Sequence, residues 1–410
     1  MKNFYSTSLQ NLKEKNLYRR LVESNATAAV EVSRGSKKHI SFCCNDYFGL
    51  SQNLSVKKAA IAAIEKYGVG ARASRYVTGN NSLYRKLEKA VAKFKKCSDA
   101  IIFSSGYASA IGAIPALAGE GDLILADRLI HASLIDGSKL SGARLMRFQH
   151  NDLNHAEEIL TQNRSKFKKC LIITETVFSM DGDLGEVEKL QALAGKFDCL
   201  LLSDDAHGVT FTNNFSEQSH LQFGTFSKAF GSLGGYIAGE KILIDYLRNF
   251  ARSAIYSTAL PPAILAASLA SLKIIQQKKL GEKVLKNAEY FCDLMGMKKP
   301  QSAIVVIILC QSYLKPELLS SGVGDSPQCG APSMRRKNKK IHQSLKDFGV
   351  EGSKKALEVA AKVAEEGFLI SAIRPPTVEA GKARLRITFS ANHTKNQIKK
   401  LAEILLDTVS

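Results

Sequence analysis

The chain alternates short apolar runs with amphipathic segments from about residue 45 to residue 245. Five of the apolar runs are rich in β-branched or small residues and have the length of strands. These candidate strands are DAIIFSS (99–105), DLILAD (122–127), CLIITETV (170–177), CLLLSDD (199–205) and GGYIAG (234–239).

One segment between two of these strands carries the period of a helix. LGEVEKLQALAGKF (184–197) has Leu184, Val187, Leu190 and Leu193 at three-residue steps, which form one stripe on a helix. Strand, helix and strand in this order predict an α/β fold, with a mostly parallel sheet covered by helices on both faces. In such sheets ligands bind at the carboxyl ends of the strands.

The pattern changes after a helical stretch near 261–297. Three further apolar runs, SAIVVIIL, GFLISAI and ARLRITFS, predict a smaller C-terminal α+β domain. The segment 310–351 interrupts it with three of the nine prolines and a basic run, and we interpret it as an insertion on the surface. The predicted organisation is an N-terminal segment 1–44, a large domain 45–270 and a small domain 271–410.

The composition narrows the class of protein. The longest apolar run is far shorter than a membrane span, and the start of the chain lacks the apolar region of a signal peptide, so we expect a soluble cytoplasmic protein without a membrane partner. Eight cysteines without CxxC spacing indicate reduced thiols rather than disulfides or a metal site. The net charge of +19 is spread along the chain without a nucleic-acid motif, so we expect no nucleic-acid partner. It fits either a solvated surface or an acidic substrate carrier.

Polar residues follow three of the candidate strands. His131 comes after the strand at 122–127, Ser179 after the strand at 170–177, and Asp204 and His207 at the end of the strand at 199–205. Taken singly, each has a structural explanation as a helix cap, a turn residue or a buried histidine. Because the carboxyl ends of parallel strands meet at one edge, we expect the four to share a crevice.

A glycine-rich segment adds a lysine to this set. FGTFSKAFGSLGGYIAG (223–239) holds Lys228 beside the hydroxyl of Thr225, and SSGYASAIGAI (104–114) places Gly106 and Tyr107 where a strand enters a helix. A desolvated lysine can condense with an aldehyde, and a helix N-terminus can bind a phosphate. With Asp204 for a pyridinium nitrogen, these parts together predict pyridoxal phosphate as cofactor.

Several motifs together resemble those of the α-oxoamine synthases, which are fold-type I pyridoxal-phosphate-dependent transferases and homodimers. The motifs are NDYFGL (45–50), SGYASAIGAI, DRLIHASLIDG (127–137), ETVFSMDGD (175–183), DDAHG (204–208), GTFSKAFGSLGGYIAG, IYSTALPPA (255–263) and AIRPPTVEAGKARLRITFSANH (372–393). The resemblance covers nearly the whole chain except the insertion.

The resemblance implies a role for each matching residue. Lys228 binds the cofactor covalently and later acts as acid and base, Asp204 pairs with the pyridinium, and His131 stacks on the ring and contacts substrate. The further cofactor contacts are Ser179 and His207 on the ring substituents and Gly106, Tyr107 and Thr225 in the segments that hold the cofactor, with Thr225 on the phosphate. The implied substrate contacts are Arg19, with Arg20 beside it left open, Arg374 on the amino-acid carboxylate, and Thr377.

The resemblance also implies a reaction. IRPPTV followed by ARLR is similar to the members that join L-alanine to a pimeloyl thioester of coenzyme A or acyl carrier protein, with loss of carbon dioxide, in biotin biosynthesis. Two alternatives stay open at this point: a glycine C-acetyltransferase-like activity, and a catalytically impaired paralogue whose insertion disturbs the small domain.

Overall fold

The computed structural model describes residues 2–209, 211, 219–309 and 339–409 of the chain. The strands are β1 Asn25–Ala26, β2 Glu31–Arg34, β3 Lys37–Ser41, β4 Asp99–Phe103, β5 Leu123–Asp127, β6 Arg144–Phe148, β7 Cys170–Glu175, β8 Leu200–Asp204, β9 Leu221–Thr225, β10 Gly235–Gly239, β11 Ile304–Ile308, β12 Phe368–Leu369, β13 Ser371–Ile373 and β14 Arg384–Thr388.

Helices connect most of these strands. They are α1 Lys2–Glu14, α2 Leu54–Tyr67, α3 Ser82–Phe94, α4 Gly106–Leu117, α5 Ala132–Ser141, α6 Leu153–Asn163, α7 Val187–Lys196, α8 Lys241–Phe250, α9 Arg252–Ile255, α10 Pro262–Gln277, α11 Leu280–Leu294, α12 Lys339–Glu365 and α13 Lys395–Val409. Short 3₁₀ turns occupy Leu50–Gln52 and Arg164–Lys166, and a π turn occupies Arg75–Gly79. Within the described ranges, no helix is long and apolar enough to cross a bilayer.

A seven-stranded sheet forms the centre of the larger part of the protein. Its strand order is β4-β10-β9-β8-β7-β5-β6. Strands β6, β5, β7, β8 and β9 are parallel, and β10 runs antiparallel to both of its neighbours. The mostly parallel sheet predicted from the sequence is therefore confirmed.

Helices cover both faces of this sheet, because alternate residues of each strand point to opposite sides. In β7, Ile172 packs in one apolar cluster with Val187 and Leu190 of α7. Leu171 and Ile173 pack in the other cluster, which includes α4, α5 and α8. The helix α7 begins at Val187 rather than at 184, because Leu184 pairs with Val177 in an isolated β-bridge.

The two smaller sheets bring both ends of the chain together. One has the order β1-β2-β3-β12 and the other β11-β14-β13. Strand β3 pairs in parallel with β12, so residues of the predicted N-terminal segment 1–44 hydrogen-bond to the C-terminal part. Phe42 also packs against Phe389 with ring centroids 5.6 Å apart. The C-terminal unit is thus an α+β structure built from both termini.

The predicted insertion 310–351 lies mostly outside the described residues. Its last part belongs to α12, which begins at Lys339 and ends at Glu365. The domain boundaries stay a prediction.

Candidate active site

A cavity of about 200 Å³ lies where β7, β8 and β9 end and where α4 and α5 begin. Its lining residues are Ser105, Gly106, Tyr107, His131, Ser133, Glu175, Asp204, Ala206, His207, Phe223, Thr225, Ser227 and Lys228. This position is the one expected for a ligand of a parallel sheet. The cavity brings together most of the cofactor-contacting residues named from the sequence.

Lys228 follows β9 and reaches into the cavity. Its Nζ lies 2.6 Å from Nε2 of His207. Burial lowers the pKa of Lys228 to about 8, although the nearby carboxyls of Asp204 and Glu175 act in the opposite direction. A neutral amine, the nucleophilic form of lysine, is therefore accessible near neutral pH.

Asp204 is the last residue of β8 and only 4% exposed. Its Oδ1 accepts a hydrogen bond from the backbone N–H of Ala206 at 2.8 Å. Burial raises the pKa of Asp204 to about 6, and the positive charge of Lys228 opposes this rise. At neutral pH the side chain is therefore a buried carboxylate that can pair with a cationic group in the cavity.

His207 lies between Lys228 and Tyr47. Its Nδ1 is hydrogen-bonded to the Tyr47 hydroxyl. Burial lowers the pKa of His207 well below its usual range, with further lowering by Lys228 and Arg386, so the ring is neutral. Burial raises the pKa of Tyr47 to about 12, which keeps its hydroxyl protonated and able to donate to Nδ1. The two ring nitrogens of His207 therefore connect the Tyr47 hydroxyl to the Lys228 amine.

His131 is the N-cap of α5. Its imidazole caps the helix, where a short polar side chain such as Ser or Asp is more usual. Ring Nδ1 accepts a hydrogen bond from the backbone N–H of Ser133 at 3.2 Å. The backbone N–H of His131 itself donates to Oε1 of Glu175 at 2.5 Å. Burial, followed by the charge of Lys228, lowers the pKa of His131. A neutral, flat imidazole therefore borders the cavity.

The other end of the cavity is built to receive an anion. Gly106 is the first residue of α4, whose N-cap Ser105 accepts a hydrogen bond from Ala108 N at 3.0 Å. A Cβ added at Gly106 would lie 3.4 Å from the Cβ of Thr225, so the start of the helix touches the end of β9. The first N–H groups of a helix lack partners within the helix and favour phosphate.

A glycine of β10 permits this approach. A Cβ added at Gly235 would lie 2.3 Å from Oγ of Ser109 and 2.6 Å from the carbonyl oxygen of Ser105. Any side chain at position 235 would therefore collide with the first turn of α4.

The lysine, the buried carboxylate, the neutral imidazoles and the anion site face one space. These donors and acceptors match the aldehyde, ring nitrogen, ring face and phosphate of pyridoxal phosphate, so the cavity fits that cofactor.

Ser179 does not line the cavity. The residue is 8% exposed, and its backbone carbonyl accepts a hydrogen bond from Nε of Arg386 at 2.7 Å. The predicted contact of its hydroxyl with a ring substituent stays a prediction.

The predicted substrate residues other than His131 form a separate cluster. Arg19 donates to the hydroxyl of Thr377 at 3.4 Å, and Arg374 donates to the carbonyl oxygen of Asn16. Burial lowers the pKa of Arg374, and the charge of Arg19 adds to this. None of Arg19, Arg374 and Thr377 lines the cavity. The neighbouring Arg20 lies over the ring of Tyr18 instead, 5.9 Å from its centroid.

Several lining residues were not predicted from the sequence, among them Glu175, and neither were Tyr47 and Arg386 beside the cavity. Each of these three belongs to a motif quoted above, and Glu175 and Arg386 are charged residues within apolar strands, which is the signal that could have identified them. Arg386 is 4% exposed and hydrogen-bonds through its guanidinium to Ser179, Thr388 and Asn45, all of them uncharged groups.

Comparison with known proteins shows the family of the chain. Residues 37–405 match the family model described as aminotransferase class I and II. The chain therefore belongs to the aminotransferase class I and II family.

Within that class, the curated relatives carry a more particular name. A putative 8-amino-7-oxononanoate synthase of Parvibaculum lavamentivorans is 40% identical over 417 residues, which cover 99% of this chain and 97% of that protein. An 8-amino-7-oxononanoate synthase of Methylocella silvestris is 40% identical over 389 residues, which cover 93% of this chain and 99% of that protein. These relatives confirm the resemblance to the α-oxoamine synthases.

Solved structures confirm the fold prediction. A serine palmitoyltransferase from S. paucimobilis superimposes with a TM-score of 0.81 at 24% identity, covering 98% of this chain and 96% of that one. An 8-amino-7-oxononanoate synthase from Francisella tularensis gives a TM-score of 0.68 at 28% identity, covering 90% of this chain and 98% of that one.

Proposed function

We propose that this protein is a pyridoxal-phosphate-dependent acyltransferase with 8-amino-7-oxononanoate synthase activity. It joins L-alanine to the acyl group of a pimeloyl thioester, carried by coenzyme A or acyl carrier protein. A carbon–carbon bond forms between the α-carbon of alanine and the thioester carbonyl carbon, the carbon–sulfur bond breaks, and the alanine carboxylate leaves as carbon dioxide.

The observation that carries this proposal is that Lys228 and Asp204 face one cavity at the carboxyl edge of the sheet. The names of relatives about 40% identical over nearly the whole chain support the particular reaction. The amine, carboxylate, imidazole and hydroxyl groups that line the cavity support pyridoxal phosphate as the cofactor.

Pyridoxal phosphate, when bound, supplies an aldehyde that condenses with amines and a ring that withdraws electrons from the attached carbon. Lys228 is the residue for the aldehyde. Asp204, ionised above pH about 6, would keep a proton on the ring nitrogen. Thr225 and the first N–H groups of α4 would hold the phosphate, and His131 would contact the ring.

Proton transfer falls to Lys228. With a pKa lowered to about 8, its amine can take the α-proton of alanine and later return a proton to the same carbon. His207 contacts the Lys228 amine at 2.6 Å and is neutral. It therefore orients that amine without adding a second positive charge beside it. The contact with Tyr47 fixes the plane of the His207 ring.

We place the contact with the alanine carboxylate at Arg386 as well as at the predicted Arg374. Burial is the main cause that lowers the pKa of Lys228 and of His207, and the positive charge of Arg386 adds to it, as expected of a cation near the reacting amine. Its hydrogen bonds go to uncharged groups, so the guanidinium has charge available for an anion. The cluster of Arg19 and Thr377 is then assigned to the acyl chain or its carrier.

We further propose a cytoplasmic homodimer. Tyr107 lines the cavity yet is 47% exposed, and a second subunit would cover such an aromatic side chain. Sedimentation at micromolar concentration should give twice the mass of the chain, and a monomer that retains full activity would contradict this part of the proposal.

The cofactor assignment is tested by borohydride reduction of the purified protein followed by peptide mapping. A pyridoxyl group should be found on Lys228, and the buried Lys95 serves as the internal control that should remain unlabelled. A label on another lysine would overturn the site. Product formation is then measured with alanine, glycine and serine against several acyl thioesters, and a preference for glycine would replace the proposed reaction by the sister activity.

A further inference from the structure

Glu175 lies in the wall of the cavity and has no part in the reaction as proposed. It is the last residue of β7 and pairs in register with Asp204, the last residue of β8. Residues paired across parallel strands point to the same face, so two carboxyl groups enter the site side by side. Glu175 is 2% exposed and therefore nearly without water.

Glu175 is connected directly to His131. Its Oε1 accepts the backbone N–H of His131 at 2.5 Å, immediately before the first turn of α5. That N–H belongs to the residue whose ring caps α5 and borders the cavity. The glutamate thus holds the backbone from which the imidazole projects.

The charges around Glu175 decide its protonation. Burial raises the pKa of Glu175 well above its usual range, and the carboxylates of Asp204 and Asp127 raise it further. Lys228 and the His131 N–H oppose this rise. The pKa of Asp204 is raised only to about 6. Because two adjacent buried carboxyls ionise together only at a high cost, the single negative charge resides on Asp204.

We propose that Glu175 is an uncharged positioning residue: its carbonyl oxygen fixes the backbone of His131, and its neutrality leaves Asp204 as the negative group opposite Lys228. The inference rests on the proposed function, in which His131 and Asp204 contact the cofactor. A carboxylate at position 175 would compete with Asp204 for the lysine and would place a second negative charge beside the ring nitrogen.

Two variants separate the parts of this proposal. Glu175→Gln keeps an oxygen acceptor of the same shape and cannot ionise, so kcat at neutral pH should stay within about threefold of the wild type. Glu175→Leu keeps the volume but leaves the His131 N–H without its acceptor, and it should lower kcat by about tenfold or more. If Glu175→Gln loses as much activity as Glu175→Leu, a charged glutamate is required and the proposal is overturned.

A second readout needs no cofactor. The folded protein holds the Glu175 proton more tightly than the unfolded chain, so the contribution of Glu175 to the stability should fall as pH rises above about 4.3, the unfolded glutamate pKa. Glu175→Gln lacks this loss, and its Tm relative to wild type, measured on cofactor-free protein, should increase with pH. A Tm difference that does not change with pH would overturn the neutral assignment.

The matched control is Glu88→Gln. Glu88 is also buried, at 7% exposure, but it is paired with Arg75 at 2.8 Å and does not line the cavity. This variant should lose stability while the folded fraction keeps the wild-type kcat. Borohydride labelling of Lys228 in each variant separates a failure of the proposed function from a failure of this inference. Wild type without the label contradicts the proposed function. A labelled Glu175→Leu with unchanged kcat contradicts only the inference about Glu175.

Discussion

Asp204 and Asp205 are adjacent in the sequence and almost equally buried, at 4% and 1% exposure, yet they meet different surroundings. Asp205 forms an ion pair with Lys95, itself 4% exposed, and accepts the hydroxyl of Thr176 at 2.6 Å. Asp204 receives the N–H of Ala206 and faces Lys228 across the cavity.

The two lysines differ in the same way. Burial alone would lower the pKa of Lys95, but the contact with Asp205 outweighs it and the pKa is raised. For Lys228 burial prevails and the pKa falls to about 8. A buried acid and base in direct contact are already satisfied within the protein, whereas a pair held apart across a cavity has capacity left for a ligand.

The largest expected effect is the loss of Lys228. Lys228→Ala should lower kcat by about a thousandfold or more, because the group that binds the aldehyde and transfers the proton is gone. Steady-state product formation measures it. Lys95→Met is the contrasting variant and should lower Tm strongly. If both variants lose activity per folded molecule to a similar extent, the distinction between a structural Lys95 and a reactive Lys228 is wrong.

The two aspartates should separate activity from stability. Asp204→Asn should lower kcat by about a hundredfold or more with a small change in stability, since no ion pair in direct contact is broken. Asp205→Asn should reduce the free energy of unfolding by about 3–5 kcal/mol, because Lys95 is left buried without its partner. Urea denaturation and kcat, measured on both variants, give the two values.

A double variant sharpens this contrast. Lys95→Met with Asp205→Asn removes both charges and should recover much of the stability lost by Asp205→Asn alone. If the double variant is no more stable than Asp205→Asn alone, the unpaired charge of Lys95 is not the cause of the lost stability.

The pH dependence should follow Asp204 and not Asp205. Asp204 has its folded pKa raised to about 6, so it is protonated and uncharged as pH falls through that value. Affinity for pyridoxal phosphate, measured by fluorescence titration, should therefore decrease below pH about 6. Asp205→Asn should keep this decrease, and Asp204→Asn should have weak affinity at every pH.

The smallest expected effect concerns Tyr47. Tyr47→Phe removes the hydroxyl that contacts Nδ1 of His207, so either tautomer of the ring becomes accessible and the Lys228 amine is less well oriented. We expect kcat to fall by about three- to tenfold with KM for alanine nearly unchanged, from a hydrogen bond worth about 1 kcal/mol. A larger change in KM than in kcat would assign Tyr47 to substrate binding.

Sequence reasoning identified the parts of the site that follow strong strands. Asp204 and His131 lie at or shortly after the ends of buried apolar runs, so their convergence could be predicted from the geometry of a parallel sheet, whereas Lys228 is indicated by its glycine-rich segment. Glu175 lies inside an apolar run that the pattern predicts wholly as a strand, so the pattern does not indicate a role for it in the site. Its function depends on which residue lies opposite in the neighbouring strand, and pairing of that kind is set by the tertiary structure.

Other parts of the fold could not be predicted from the sequence, because of the composition of a strand or because the paired residues are far apart in the chain. Strand β6 (RLMRF) contains two arginines and β9 (LQFGT) contains glutamine and glycine, so neither has the apolar period of a buried strand. The pairing of β3 with β12 joins residues more than 300 positions apart, and no local pattern indicates it. Tyr47 was missed for the same reason, because its partner His207 is 160 residues away.

The antiparallel strand β10 also has a consequence for the anion end of the cavity. It separates β4 from β9, and only the absence of a side chain at Gly235 allows α4 to close the gap and reach Thr225. Binding of a phosphate ester therefore depends on the lack of a Cβ at position 235. Even an alanine there would displace the start of α4 and weaken cofactor binding without contacting the cofactor.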